Sequence, residues 1–204
     1  MFIRIKSDLI MRKLLLFVTV VLLMNSCSIF NELVAFTKCE FRLHSLQEPE
    51  ACGINLSQKG TWSDFTFMEG QAIAGQLLQK RLPFEITVNV EARNPGTAMA
   101  AVNSIQWIAF IDELQVAQGT VSERVEIPSS GGISQIPIRV KADLFDYLEG
   151  DNPRAMLNFA LNLVNAGDQS SQVSLKIKPS VLIGTQEIQY PDYFTITKEF
   201  SSGN

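Results

Sequence analysis

The sequence has one histidine, His44, and three cysteines in 204 residues. So few soft ligands exclude a disulfide-dense scaffold and the usual His/Cys zinc sites. Any Ser–His–Asp or Cys–His nucleophile would have to use that single imidazole. Positive charge is scarce too: 17 Lys and Arg stand against 21 Asp and Glu, a net of −4. With no basic surplus to neutralise phosphates, nucleic acid is not expected as a partner. A phosphate-cradling loop is also missing, since no Lys and Ser or Thr follow Gly131-Gly132. What remains is an ordinary globular composition, 46% hydrophobic and 19% charged. That balance excludes a disordered chain, a collagen repeat and a coiled coil.

Long hydrophobic runs are absent, but one short run is placed to matter. It follows Met11-Arg12-Lys13, covers 14–23 with only Thr19 interrupting, and ends at Met24. About ten residues suit a signal-peptide core and fall well short of the roughly 20 a bilayer-spanning helix needs. Met24-Asn25-Ser26-Cys27 comes next and resembles a bacterial lipobox, in which the Cys is lipidated and becomes the first mature residue. The expected organisation is a lipoprotein signal peptide at 1–26, with Met11 read as its start. A lipidated N-terminus and short linker follow at 27–36, then a single domain at 37–204. A plain secretory signal is the alternative.

On this reading the first partner is a membrane, held through acyl chains at about 0.8 kcal/mol per buried methylene. Envelope proteins or lipids are the further partners expected. Ser28 rather than Asp follows the Cys, which directs the chain to the outer membrane, facing the periplasm. The leader takes away Arg4, Lys6, Arg12 and Lys13 against Asp8. The mature chain then holds 13 basic residues (17 less four) and 20 acidic ones (21 less one), for a net of −7. Outside the cytosol Cys39 and Cys52 remain as an even pair. A disulfide between them would contribute roughly 3 kcal/mol in the chain-entropy model. The alternative is two buried thiols acting as small hydrophobes.

The remainder reads as one β-rich domain. Residues 84–93 alternate Phe84, Ile86, Val88, Val90 and Ala92 with polar neighbours, a strand with one face buried. Ile105, Trp107, Ala109 and Ile111 alternate likewise. Apolar Ile108 and Phe110 on their other face make that strand central or doubly covered. Val121, Val125 and Ile127 read as one strand, Ile133 to Val140 as the next, joined by a hairpin loop at 129–132. Val173, Leu175 and Ile177 continue to Val181 and Ile183 past Pro179, which should interrupt the ladder. Phe41 to Leu46 opens the series; Phe194 and Ile196 close it. Asn94-Pro95-Gly96 reads as a turn, Gly119 and Gly184 as tight turns or bulges.

Helices are expected at 69–81, stopped by Pro83, and at 153–165, where Met156, Leu157, Ala160, Leu161 and Val164 form a stripe. Asp143 is placed to cap a turn. The fold class is therefore mainly β: an antiparallel sandwich of about seven strands, immunoglobulin- or fibronectin-III-like, with one or two packed amphipathic helices.

The order of these features carries a resemblance. Leu82-Pro83-Phe84 runs into Asn94-Pro95; a strand ends at Ile111-Asp112 with Gly119 after it. Then come Ile127-Pro128, Ile136-Pro137-Ile138 and Asp143-Leu144. This resembles the late embryogenesis abundant (LEA) type 2 family, whose unit is also called the water stress and hypersensitive response (WHy) domain. Cys39-Glu40-Phe41 and Gly53-Ile54-Asn55 resemble its bacterial lipoprotein branch. The resemblance covers roughly 37–200 and is strongest over 82–145. It implies a seven-stranded sandwich with a helix, a link to desiccation or stress, and no established enzyme activity.

Chemistry-bearing constellations are few. His44 is expected on the face opposite Phe41 and Leu43. Asp112-Glu113 and the run Asp143, Asp146, Glu149 and Asp151 read as solvated turn and capping charges, without an EF-hand's Gly and terminal Glu. No catalytic residue, metal site or cofactor is assigned. Tyr190 and Tyr193, in Tyr190-Pro191-Asp192-Tyr193-Phe194, form an aromatic platform or merely a turn into the last strand. Trp62, in a polar stretch, is a candidate ligand-surface residue. A non-enzymatic lipoprotein is the leading reading. A periplasmic lipid- or small-molecule-binding module, with 153–165 gating an apolar cavity, is the alternative.

Overall fold

Period-two alternation produces the two main sheets. The computed structural model describes residues 29–59, 62–145, 162 and 170–200. The first sheet has the order β2-β1-β3-β8, with β1 at Glu40–Ala51, β2 at Ile54–Asn55, β3 at Pro83–Asn94 and β8 at Gly132–Asp143. β3 and β8 pair antiparallel along their whole length, from Pro83↔Asp143 to Asn94↔Gly132. The second sheet runs β10-β9-β5-β6 and adds β11 beside β9. Here β5 is Ser104–Ile111, β6 Leu114–Val121, β9 Ser171–Ile183, β10 Gln186–Gln189 and β11 Phe194–Phe200. Two short strands, β4 (Ala100–Val102) and β7 (Val125–Ile127), pair separately.

The inward faces meet in one core. Ile86, Val88 and Val90 of β3 and Ile136 and Ile138 of β8 join Ile105 and Trp107 of β5 and Leu175 and Ile177 of β9. Each fully buried aliphatic side chain contributes roughly 1.5–3 kcal/mol. The expected antiparallel sandwich is thus present, with eleven strands among the described residues rather than about seven. The surplus comes from the short elements β2, β4, β7 and β10.

Several local expectations are corrected. Val121, Val125 and Ile127 do not share a strand: β6 ends at Val121, and β7 pairs with β4 in another sheet. Exposed Glu123 sits in that break, where one continuous strand would have put its charge on the same face as Val121 and Val125. The segment 129–132 is accordingly a corner between sheets, not a hairpin. Pro179 does not interrupt β9, which continues through it for 13 residues. It stands where one flank of β9 changes partner, from β11 (up to Ile177) to β10 (from Ser180). Its carbonyl accepts from the Tyr190 amide on that flank, so the missing N–H falls in the gap and no ladder bond to β5 is lost.

Gly119 lies inside β6, opposite Trp107. A Cβ there would stand 2.6 Å from the indole Cζ2, so the glycine makes room for the ring rather than a turn. Gly184 does turn, with φ +65° between β9 and β10.

Helices cover the ends. Residues 29–36 are helical (α1), and Leu33 and Phe36, spaced i and i+3 on one face, are 4% and 0% exposed. The linker expected over 27–36 is therefore, from residue 29 on, part of the packed body. Helix α2 runs Phe67–Leu78, somewhat earlier than the expected 69–81. Thr66 accepts from the Glu69 amide while the Glu69 side chain takes the Thr66 amide, a full capping box. It is not packed as an amphipathic helix should be. None of its residues is buried; Ile73 touches the core while Phe67, Met68 and Leu78 are 71–87% exposed. The helix expected at 153–165 lies outside the described residues, save buried Asn162, whose amide donates to the Ser171 hydroxyl at 3.0 Å.

Candidate functional site

The strand directions define two ends. β1 and β11 start at the lower end, where β3 finishes; they run up to the end where α2 leads into β3. Cys27 lies outside the described residues. Cys39 and Cys52 are free, so the possible disulfide gives way to the alternative of two separate thiols. The 12 residues of β1 separate them and span about 40 Å when extended, whereas bridged Cα atoms lie within ~7 Å. Cys39 is buried below β1, its Sγ donating to the Ala35 carbonyl at 3.5 Å. Burial, then the Glu40 charge, pushes its thiol up to about 11. Cys52 turns at the top with φ 53°, and burial followed by the Asp143 charge raises it.

At the upper end, Glu50, Arg81, Glu85, Lys141 and Asp143 line an open cleft of about 360 Å³. Four of these charges pair across it, Lys141 to Glu85 at 2.8 Å and Arg81 to Asp143 at 3.7 Å, and Arg139 outside the lining reaches Glu85 at 3.2 Å. The Asp143 carboxylate also takes the Leu82 and Phe145 amides at 2.6 and 3.1 Å, the expected capping role. Asp146, Glu149 and Asp151 lie outside the described residues. Asp112 and Glu113 form a positive-φ turn, and Asp112 accepts from the Gln172 amide at 2.7 Å.

The lower half holds the histidine and the aromatics. His44 is exposed, as expected, but it sits at a register shift between Leu43↔Val90 and Ser45↔Asn89. A strand bulge rather than plain alternation therefore sets its direction. Its Nδ1 is 3.5 Å from Glu91. The Arg42 guanidinium grips the same carboxylate through two bonds of 2.8 and 2.9 Å and holds it below the usual range. Such a carboxylate is a weak base. Ser104 and Ser180 donate to Glu187, Ser104 at 2.9 Å, and their hydroxyls hold that carboxyl low as well. The described residues thus put serine beside carboxylate and histidine beside carboxylate, with no histidine–nucleophile pair. Among them, no three His, Cys, Asp or Glu side chains group as a metal set.

The two tyrosines diverge. Tyr190 stacks on Phe194 at 5.1 Å, and Phe194 leads on to Phe41 and Phe36 at ring separations of 6.2 and 5.0 Å. Tyr193 is 41% exposed with the Lys178 ammonium 5.3 Å from its ring. The segment is a turn that packs against the core through Phe194, with Tyr190 stacked on that ring and Tyr193 left on the surface under Lys178. Trp62 begins a 3-10 turn, Trp62–Asp64, before α2, on a different element from the tyrosines.

Sequence reasoning missed Asn94 as a hub. It is 1% exposed. Its amide donates to the Ala98 and Ile127 carbonyls at 2.9 and 3.2 Å and accepts from the Gly96 amide at 3.0 Å. Asn before Pro signalled a turn, but the bond to Ile127 crosses 33 residues and leaves no local pattern. Between the sheets, an apolar space lined in part by Ile86, Val88, Ala109, Ile111, Val140 and Val173 measures about 20 Å³.

No known protein family matches the sequence, and neither does any curated protein. Solved structures give distant similarity. An Archaeoglobus fulgidus protein aligns with a TM-score of 0.35 at 15% identity, covering 78% of this chain and 99% of that one. An Arabidopsis thaliana protein gives 0.38 at 13% identity, over 60% and 72%. A late embryogenesis abundant protein gives 0.33 at 13% identity, over 87% and 80%.

Proposed function

We propose that this chain is a non-enzymatic lipoprotein of the bacterial cell envelope. In this reading a lipidated Cys27 tethers a small β-sandwich, which acts by adhesion to envelope components as a binding or protective module. The carrying observation is Met24-Asn25-Ser26-Cys27 at the end of an apolar run of signal-peptide length. The outer membrane, facing the periplasm, is the proposed site, on the strength of Ser28. The order of motifs over 82–145 supports placing the domain with the LEA type 2 proteins, and through them supports a role in desiccation or stress.

Palmitate labelling tests the tether. Wild-type protein should take label and partition with membranes, and Cys27→Ser should do neither. Unlabelled, soluble wild-type protein would overturn the reading. A lipid-carrying interior has weaker support, because the space between the sheets is about 20 Å³ against roughly 300–1,000 Å³ for ligand pockets.

A further inference from the structure

The large apolar side chains that stay exposed among the described residues are not scattered. Phe67, Met68, Leu77 and Leu78 belong to α2 at the upper end. Phe30, Met99, Ile133, Leu182, Ile188 and Tyr193 belong to the lower end, by register and chain position. Ile133 pairs with Arg93 at the finish of β3, and Met99 follows in the connection from β3 to β4. Leu182 and Ile188 sit on the β9–β10 hairpin beyond Ser180, the partner of the first residue of β5. Phe30 is on α1, which leads directly into the start of β1.

The tether emerges from that same end. Only Ser28 separates Cys27 from Ile29, where α1 has begun, and two Cα steps reach no further than about 8 Å. Since α1 is locked into the core by Leu33 and Phe36, no slack exists to lift the sandwich off a bilayer holding the acyl chains. Part of the charge at this end is paired: Arg124 with Glu32 and Glu126 at 2.8 and 2.7 Å, and Arg93 with Glu40 at 3.3 Å, while exposed Glu123, Asp192 and the serine-held Glu187 add negative charge beside the apolar tips. Lys178 lies over Tyr193. Aromatic and aliphatic tips interleaved with polar groups fit the headgroup layer, where such side chains are at home.

We infer that the lower end of the sandwich rests in the headgroup layer of the bilayer that anchors Cys27, with Phe30, Leu182, Ile188 and Tyr193 dipping into it. This rests on the lipoprotein reading and adds an orientation: α2 points away from the membrane. Because the contact is apolar, it needs no anionic lipid and should survive salt.

The test uses the mature, lipidated protein in phosphatidylcholine vesicles, with Cys52→Ser as background and Cys39 shielded by burial. Nitroxides are placed at Ile188→Cys, at Leu182→Cys as a second lower-end site, and at Leu78→Cys on α2. The lower-end labels should lose relaxation by a water-soluble nickel chelate and gain relaxation by oxygen, at low and high salt alike. The Leu78 label should stay open to the chelate. Vesicle-bound protein whose lower-end labels remain open to the chelate overturns the orientation alone. Burial of the Leu78 label instead does the same. Labels shielded from both relaxants, with crosslinking between two copies, replace the bilayer with a second chain and also overturn it. Failure of wild-type protein to take palmitate removes the anchor reading and this inference with it.

Discussion

Replacing Gly119 by Ala tests the packing between β5 and β6. The added methyl carbon would stand 2.6 Å from Cζ2 and 2.9 Å from Cε2 of Trp107, closer than nonbonded carbons approach. The indole is 7% exposed and part of the core, so it can yield only by disturbing its neighbours. Overpacking of this kind costs typically ~1–3 kcal/mol. Loss of glycine freedom in the unfolded chain offsets about 0.4–1 kcal/mol of that. The net expectation is a loss of about 1.5 kcal/mol, a fall in Tm of roughly 4 °C for a domain of this size.

Urea denaturation followed by far-ultraviolet dichroism measures it. Trp107→Phe removes the benzo atoms that the methyl meets. The double variant should therefore be more stable than the sum of the single losses by about 1 kcal/mol. A Gly119→Ala protein as stable as the parent, or strictly additive losses, would refute the steric argument.

Three further outcomes are expected. Asn94→Ala should cost about 2 kcal/mol, since the buried Ile127 carbonyl and the part-buried Ala98 carbonyl and Gly96 amide lose their partner; chemical denaturation reads it, and a loss under about 1 kcal/mol would contradict the hub role. Glu69 is held down to about 2, from the usual 4.5, first by the Lys59 ammonium and then by the Thr66 amide. Its folded value is depressed, so its contribution to α2 is full above about 4.5 and fades as pH falls toward 2; amide exchange in α2 should accelerate across that window in the wild type and not in Glu69→Gln. Finally, thiol titration of unreduced protein should find Cys52 slowly reactive when folded and Cys39 reactive only on unfolding; a count of zero thiols after unfolding would restore the disulfide.

The strands that the sequence announces are those whose burial alternates with strong apolar residues. β3, β5, β8 and β9 are of this kind. β6 reads poorly because Leu114–Val121 carries Gln, Ala, Gly and Thr at most positions, and Gly119 looks like a turn until its partner Trp107 is known. β10 is exposed at every position, so no hydrophobic period marks it. Cysteine parity suggested a bridge, but parity is blind to the strand that holds the two thiols apart. The helix expected at 69–81 was to be a packed amphipathic one. The spacing was helical, yet only Ile73 meets the core, because periodicity finds a stripe and does not say which neighbour covers it. At the site, the exposure of His44 was legible while its bulge and its shared carboxylate were not, since Glu91 lies 47 residues along the chain from it.

Pro179 has one more effect on how this molecule can move. By leaving a seam between β11 and β10 while β5 stays joined along the other flank, it turns β9 into a spine with two leaves hinged separately. The pairing of β10 with β9, over 180–189, is thereby separate from the pairing of β11 with β9 above it. A sheet that would otherwise open as one piece has been given a perforation at a chosen height.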